Sequence, residues 1–260
     1  MRAKLMAWLT AALVLGACVT ADADAATLRI TADEWCPYNC TPDSEKPGYV
    51  VEMAREIYGR QGHDVEYVKR PWSRALQAVA RGKLDAAIAV TTEPESAKMI
   101  KPEEPIGYYE VAFFTRAESD WTYDGVKSLQ GKRLAAIQDY AYLPEIDSYI
   151  ENNADTAAVM VDPTPLELNL RQVKMGRADV TLDDRAVAAY EISNMNAGDA
   201  FRMAGTAGEP VPLYLAFSKK IENADTWARR WSEGVRELRA SGKLDDILSS
   251  YGISDWADKQ

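Results

Sequence analysis

ARGKLDAAIAV (Ala80–Val90) and KMGRADVTLDD (Lys174–Asp184) share one grammar: a helix end, a glycine, small or basic residues, an aspartate, then an apolar strand. Gly82 matches Gly176, and Asp85 matches Asp179. A glycine just past a helical run is a stop signal, and a short apolar run bounded by such punctuation reads as a buried strand. An acid at the start of a buried strand is ordinarily a structural hydrogen-bond or capping residue, and Asp85 and Asp179 are assigned that role. The recurrence predicts a chain built from two similar halves.

Working outward, the first half reads as strand TLRITA (27–32), a helix over 48–62, strand HDVEYVK (63–69), helix WSRALQAVARG (72–82) and strand LDAAIAV (84–90). Val51, Ala54, Ile57 and Tyr58 fall on one face of the first helix at helical spacing. The second half repeats the order with RLAAIQ (133–138), LPEIDSYIENN (143–153), AAVMVD (157–162), PLELNLRQVKMG (165–176), ADVTLDD (178–184) and AVAAYEISN (186–194). Two extended segments, VAFFTRA (111–117) and PLYLAFSK (212–219), close the halves. If both link the lobes, the chain crosses twice, and two α/β lobes with two connections make a hinge with a cleft. The amphipathic stretch 226–252 is expected to be helical and to return to the first lobe. Lobe 1 is thus expected over 27–115 and 212–260, and lobe 2 over 116–211.

The N-terminus has the order of a secretory signal peptide: MRAK, an apolar run from Leu5 to Val19, then small residues, giving a leader over 1–25. The apolar run is short of the ~20 residues that span a bilayer. Leu15-Gly16-Ala17-Cys18 also has the form of a lipobox, which would leave Cys18 lipidated; simple cleavage at an A-x-A site is the alternative. Either route predicts an exported, periplasmic protein and leaves Cys36 and Cys40, in DEWCPYNC (33–40), as an even pair in an oxidising compartment. A local disulfide is favoured over free thiols. With His63 the single histidine and no second cysteine pair, no metal site is expected, and no cofactor motif is present. The net charge of −10 argues against nucleic acid and anionic membranes as partners.

In order along the chain, GYVVEMAREI (48–57), RPWSRALQAVARGKLDAAIAVTTEPESAK (70–98), GKRLAAIQDYAY (131–142), GRADVTLDD (176–184) and LRASGKLDDILSSYG (238–252) resemble the bacterial extracellular solute-binding proteins of family 3. These are periplasmic components of polar amino-acid importers. The resemblance covers essentially the whole exported chain. It implies two Rossmann-like lobes joined by a two-strand hinge, closing as a monomer on a small-molecule ligand and delivering it to a membrane ABC permease.

A free amino acid removed from water needs an acid for its ammonium and a strong donor for its carboxylate, because an unpaired buried charge is costly. The resemblance places Asp184 on the ammonium-binding aspartate, at a strand end where ligands bind in such sheets. Asp183, one residue earlier, is expected to face the other way. Trp35 and Trp72 match ligand-flanking aromatics, and a tryptophan face contributes about 0.5–2 kcal/mol to a cation. The family's carboxylate-clamping arginine is replaced by Ser96, which cannot pair both oxygens. Arg74 is the first substitute, with Arg70 and Arg185 behind it. Thr91 and Thr92 would offer hydroxyls or backbone N–H groups to an anion. Tyr140 and Tyr142 stand where the family carries glycine and small hydroxyl residues, and two phenols there would reshape the pocket. An amine, a modified amino acid or a peptide-like or aromatic solute therefore becomes a candidate beside an ordinary amino acid.

Two other functions stay open on the sequence. Periplasmic cyclohexadienyl dehydratases are similar to this family, and such an enzyme would need a carboxylic acid with a raised pKa, for which Glu34 and Asp184 are the candidates. A sensor subunit docking on a receptor is the other. The main expectation is a binding module with no catalytic residues.

Overall fold

Both halves fold as α/β units in a computed structural model that describes residues 25–91, 94–137, 140, 142–160 and 165–259. Thr92, Cys18 and the expected leader up to residue 24 lie outside the described residues. Lobe 1 begins with β1 (Thr27–Ala32), α1 (Tyr49–Gly59), β2 (Asp64–Lys69), α2 (Trp72–Ala80), β3 (Ala86–Val90) and the short β4 (Met99–Ile100). The chain crosses along β5 (Gly107–Arg116) and builds lobe 2 from β6 (Leu134–Ile137), α3 (Pro144–Asn152), β7 (Ala157–Met160), α4 (Pro165–Lys174), β8 (Val180–Asp184) and α5 (Arg185–Asn194). It returns along β9 (Phe201–Ser218) and ends in α6 (Ala224–Ala240) and α7 (Lys243–Ser250).

The sheet order is β2-β1-β3-β9-β5-β8-β6-β7, with β4 paired to β9. Within each lobe the first strand pairs in parallel with its neighbours, β1 with β2 and β3, and β6 with β7 and β8. The helices are the crossovers that such parallel pairs require. Strands β5 and β9 run antiparallel and are shared. β9 pairs with β5 from Phe201 to Leu213 and with β3 from Tyr214 to Phe217, so the two strands form the hinge.

Two sequence expectations move. VAFFTRA belongs to lobe 2, because Val111 to Phe114 pair with Asp184 to Thr181, so the first crossing lies near Gly107–Tyr109 and not at residue 115. β9 begins well before PLYLAFSK and runs 18 residues. Pro210 and Pro212 mask it, since proline has no N–H for the ladder and demotes a strand reading. Pro212 stands opposite Tyr108 inside the hinge.

The matched aspartates do the same structural work in each lobe. Asp85 accepts from the Arg29 backbone N–H at 2.7 Å and pairs with its guanidinium at 3.3 Å. Asp179 accepts from the Arg133 N–H at 2.9 Å and pairs with its guanidinium at 2.7 Å. Each thus ties the entry of its lobe's third strand to its first. The matched glycines end α2 and α4 with φ of 72° and 68°, a left-handed turn that glycine adopts without penalty. Helix α6 packs on α1: Gly234 lies against Ile57, and the Tyr58 hydroxyl donates to the Trp227 carbonyl at 2.9 Å. Trp231 on α6 is fully buried, so its truncation would cost about 3–5 kcal/mol.

Candidate functional site

The DEWCPYNC loop closes on itself and on α1. Cys36 and Cys40 form a disulfide, and Trp35 and Asn39 bridge through their backbones at 2.8 and 3.2 Å. The first turn of α1 has no side-chain cap. Its free N–H groups are taken by the loop instead: Tyr49 donates to the Pro37 carbonyl at 3.0 Å and Val50 to the Tyr38 carbonyl at 3.1 Å. Gly48 makes this approach possible, because a Cβ there would overlap Asn39 Cα and the Tyr38 carbonyl. Thus the loop is anchored by a helix, and it presents Trp35 outward.

Trp35 lines a cavity of about 1300 Å³ between the lobes. Its ring is backed by Tyr38, stacked at 4.7 Å and 16°. Lobe 1 contributes Asp33, Glu34 and Arg70 to the walls, and lobe 2 contributes Tyr140, Asp183 and Tyr190. Asp183 is 2 % exposed, and burial pushes its carboxyl up to about 8, helped by the neighbouring Asp184 charge. Its Oδ1 accepts from the Asp184 N–H at 2.6 Å. Among the described residues the buried indole N–H of Trp35 makes no hydrogen bond of standard geometry, yet it lies near enough to Asp183 to favour the carboxylate somewhat. Burial also pushes Asp33 up to about 6. The Tyr140 phenol is held above its ordinary value by burial and then by Asp183 and Asp33, so both acids act on the same ring.

Asp184 has a different place. It is fully buried and is the N-cap of α5, with Oδ1 accepting from Ala186 N–H at 2.9 Å and Val187 N–H at 3.1 Å. Oδ2 accepts from Glu110 N–H at 3.1 Å, and the Tyr38 hydroxyl adds a bond to Oδ1 at 3.3 Å. Those donors occupy the carboxylate that was expected to meet the ligand. The alternation of β8 does put Asp183 and Asp184 on opposite sides, but the cleft side is that of Asp183. A capping aspartate directly before a helix is a readable signal, and here it decides between the neighbours.

The remaining candidates divide. Trp72 is half-buried, packs on a lobe 1 cluster that includes Val79, Leu84 and Met99, and is not among the described residues lining the cavity. Arg74 is exposed and is not among the described residues lining the cavity. Arg185 pairs with Glu110 at 3.1 Å. Arg70, exposed at the end of β2, does line the cavity. Thr91 is half-buried and outside the described lining. Tyr142 is buried, and its hydroxyl accepts from the Ile137 N–H at 2.9 Å. Ser96 is buried and its hydroxyl accepts from Lys101 at 3.4 Å. Glu34 faces the cavity but is paired with Lys69 at 2.6 Å and accepts from Thr41 at 3.1 Å. Among the described residues no group of three or more acids, histidines or cysteines is arranged to hold a metal.

The whole arrangement, two α/β lobes, a two-strand hinge and one acidic, aromatic cavity between them, coincides with a match to one family over residues 28–254. The chain belongs to the bacterial extracellular solute-binding proteins, family 3. A curated relative, a probable histidine-binding protein of Campylobacter jejuni, is 18 % identical over 233 residues, spanning 87 % of this chain and 85 % of the relative. Among solved structures, the probable amino-acid ABC transporter extracellular-binding protein ytmK of Bacillus subtilis superposes with a TM-score of 0.68 at 19 % identity, covering 87 % of this chain and 97 % of that one. A structure from glutathione import through GshT and the cystine importer TcyBC of Streptococcus mutans gives 0.70 at 17 % identity, covering 90 % and 99 %. A histidine kinase sensor domain similar to periplasmic binding proteins gives 0.66 at 22 % identity, covering 87 % and 96 %.

At these identities the solved structures establish the type II periplasmic binding fold and nothing of the ligand. For this solute-binding protein the ligand's chemistry has to come from its own cleft. Among the described residues, no helix is long and apolar enough to cross a membrane.

Proposed function

We propose that this solute-binding protein captures a small amine-bearing polar solute, an amino acid or a related amine, between its lobes and delivers it to the membrane permease of an ABC importer. The observation that carries this reading is Asp183: a nearly buried carboxylate on the cavity wall, facing no cation among the described residues. A buried acid of that kind is satisfied by a ligand's positive group. Trp35 and Tyr140 supply aromatic surface beside it. Family membership supports the binding role, and the names of the relatives, a histidine-binding protein and an amino-acid importer component, support amine-bearing ligands and ABC delivery.

The two acids expected of an enzyme, Glu34 and Asp184, are engaged elsewhere. Glu34 is exposed and ion-paired, and the Asp184 carboxylate is filled by helix and strand amides. The protein is expected to act as an exported monomer that binds, closes and releases.

A thermal-shift and calorimetric panel of amino acids and amines tests the proposal. At ligand concentrations of about 100 Kd, stabilisation by about 2.7 kcal/mol is expected from the correct solute. A panel with no shift and no heat from any amine-bearing compound contradicts it. Uptake of the same solute that depends on the protein and on a cognate permease tests the delivery step.

A further inference from the structure

We propose that the cleft is built for a ligand with two positive groups and no carboxylate, a short diamine or guanidino-amine, one positive group on Asp183 of lobe 2 and the other on Asp33 of lobe 1. This rests on the amine-solute reading above and narrows it.

The cations of the cavity wall are largely committed. Among its described lining residues are six carboxylates, Asp33, Glu34, Glu45, Glu167, Asp183 and Glu191, against Lys46, Lys69 and Arg70. Lys69 is paired with Glu34 at 2.6 Å, and Lys46 donates to the Ser250 carbonyl at 2.8 Å. Arg70 is exposed, whereas Asp183 is 2 % exposed, so the enclosed part of the wall is acidic and the free guanidinium is not part of it. Ser96 stands at the position read as the missing clamp, and the lysine bonded to it, Lys101, is not among the cavity's lining residues. A ligand carboxylate at depth would therefore meet the Asp183 carboxyl and none of the described lining cations.

Closure supplies the second part of the argument. Asp33 and Asp183 line the cavity from opposite lobes. Burial keeps the Asp183 carboxyl largely protonated in the empty cleft, and ionising it opposite Asp33 as the cleft narrows costs repulsion unless a cation is present. A ligand closes the lobes only if it interacts better with the closed state than the open one. A dication does so by giving each lobe its own attraction, while a zwitterion gives one lobe attraction and offers the other its carboxylate. Trp35, stacked on Tyr38 from behind, and Tyr140 supply ring faces beside both acids, which suits ammonium and guanidinium groups.

The test compares each basic amino acid with its decarboxylated form, by calorimetry on the purified protein stripped of retained ligand: lysine against 1,5-diaminopentane, and arginine against agmatine. Removal of the carboxylate is expected to tighten binding at least tenfold in one or both pairs. In the tighter pair, Asp33→Asn and Asp183→Asn are each expected to weaken diamine binding at least tenfold; should either variant fail to fold, the ligand comparison on the native protein decides. Amino acids binding as tightly as, or more tightly than, their decarboxylated forms would overturn the proposal while leaving the amine-solute reading intact. Absence of binding by every amine and amino acid would contradict both.

Discussion

The hydroxyl of Tyr38 donates to the carboxylate of Asp184 at 3.3 Å, joining the disulfide-closed loop of lobe 1 to the first turn of α5 in lobe 2. One residue away, Asp183 faces the cavity. Adjacent acids thus face different ways, Asp184 bonded to backbone amides of β5 and α5 and Asp183 lining the cavity where the solute is proposed to bind.

That division predicts opposite mutant behaviour. Asp184→Ala strips the cap of α5 and orphans the Glu110 N–H, and is expected to cost at least about 2 kcal/mol of stability. Asp183→Asn replaces a buried ionisable carboxyl without removing any cap, so chemical denaturation should show little loss or a gain, while solute binding falls. A variant pair with the reverse pattern contradicts the assignment.

Stability should depend on pH with a definite sign. Asp183 is pushed up to about 8, and Asp33 and Asp184 to about 6, all by burial, against about 3.9 in an unfolded chain. The folded, ligand-free protein therefore holds more protons than the unfolded chain between those limits. Its stability is fullest near pH 4 and falls, on the order of a few kcal/mol, as pH rises toward 8. Asp179 and Asp255 are lowered and act oppositely, below the carboxylates' ordinary range. Urea titrations across this window are expected to show falling midpoints, and a flat profile contradicts the buried-acid picture.

Cation binding should run the other way. Ionised Asp33 and Asp183 attract an ammonium, so affinity is expected to rise from about pH 5.5 to 8.5, by up to about tenfold per pH unit for each group titrating. Calorimetry in buffers of different ionisation enthalpy should register proton release on binding at neutral pH.

The disulfide is expected to serve the wall more than the fold. Its closed loop is short, so the chain-entropy model gives less than about 3 kcal/mol, and the contacts of Pro37 and Tyr38 with α1 do not need it. Cys36→Ser with Cys40→Ser should leave a folded protein with weaker solute binding as Trp35 loses its fixed placement. Equal affinity of oxidised and reduced protein would remove that role.

Much of the fold was legible because it repeats. Gly82 with Gly176 and Asp85 with Asp179 announce two similar βαβ units, and the same hydrogen bonds recur at both. The hinge was half-legible: Pro210 and Pro212 broke the period-2 pattern of β9, although a proline is tolerated where the ladder does not ask for its N–H. The site was least legible. Period alone sets Asp183 and Asp184 on opposite faces but cannot say which face is the cleft; the capping bonds of α5 decide it. Trp72 follows a strand-to-helix turn as Trp35 follows a strand, yet it packs on Val79 and Leu84, since helix α2 turns its apolar face to the lobe. Asp33 carried no motif, only its place at the end of β1.

The most direct test is a crystal structure of the protein with solute bound. The account predicts a ligand nitrogen about 2.7–3.2 Å from a carboxylate oxygen of Asp183, the solute lying between Trp35 and Tyr140, and Asp184 still capping α5. A ligand nitrogen bonded to Asp184, with the first turn of α5 uncapped and Asp183 turned away, would contradict it.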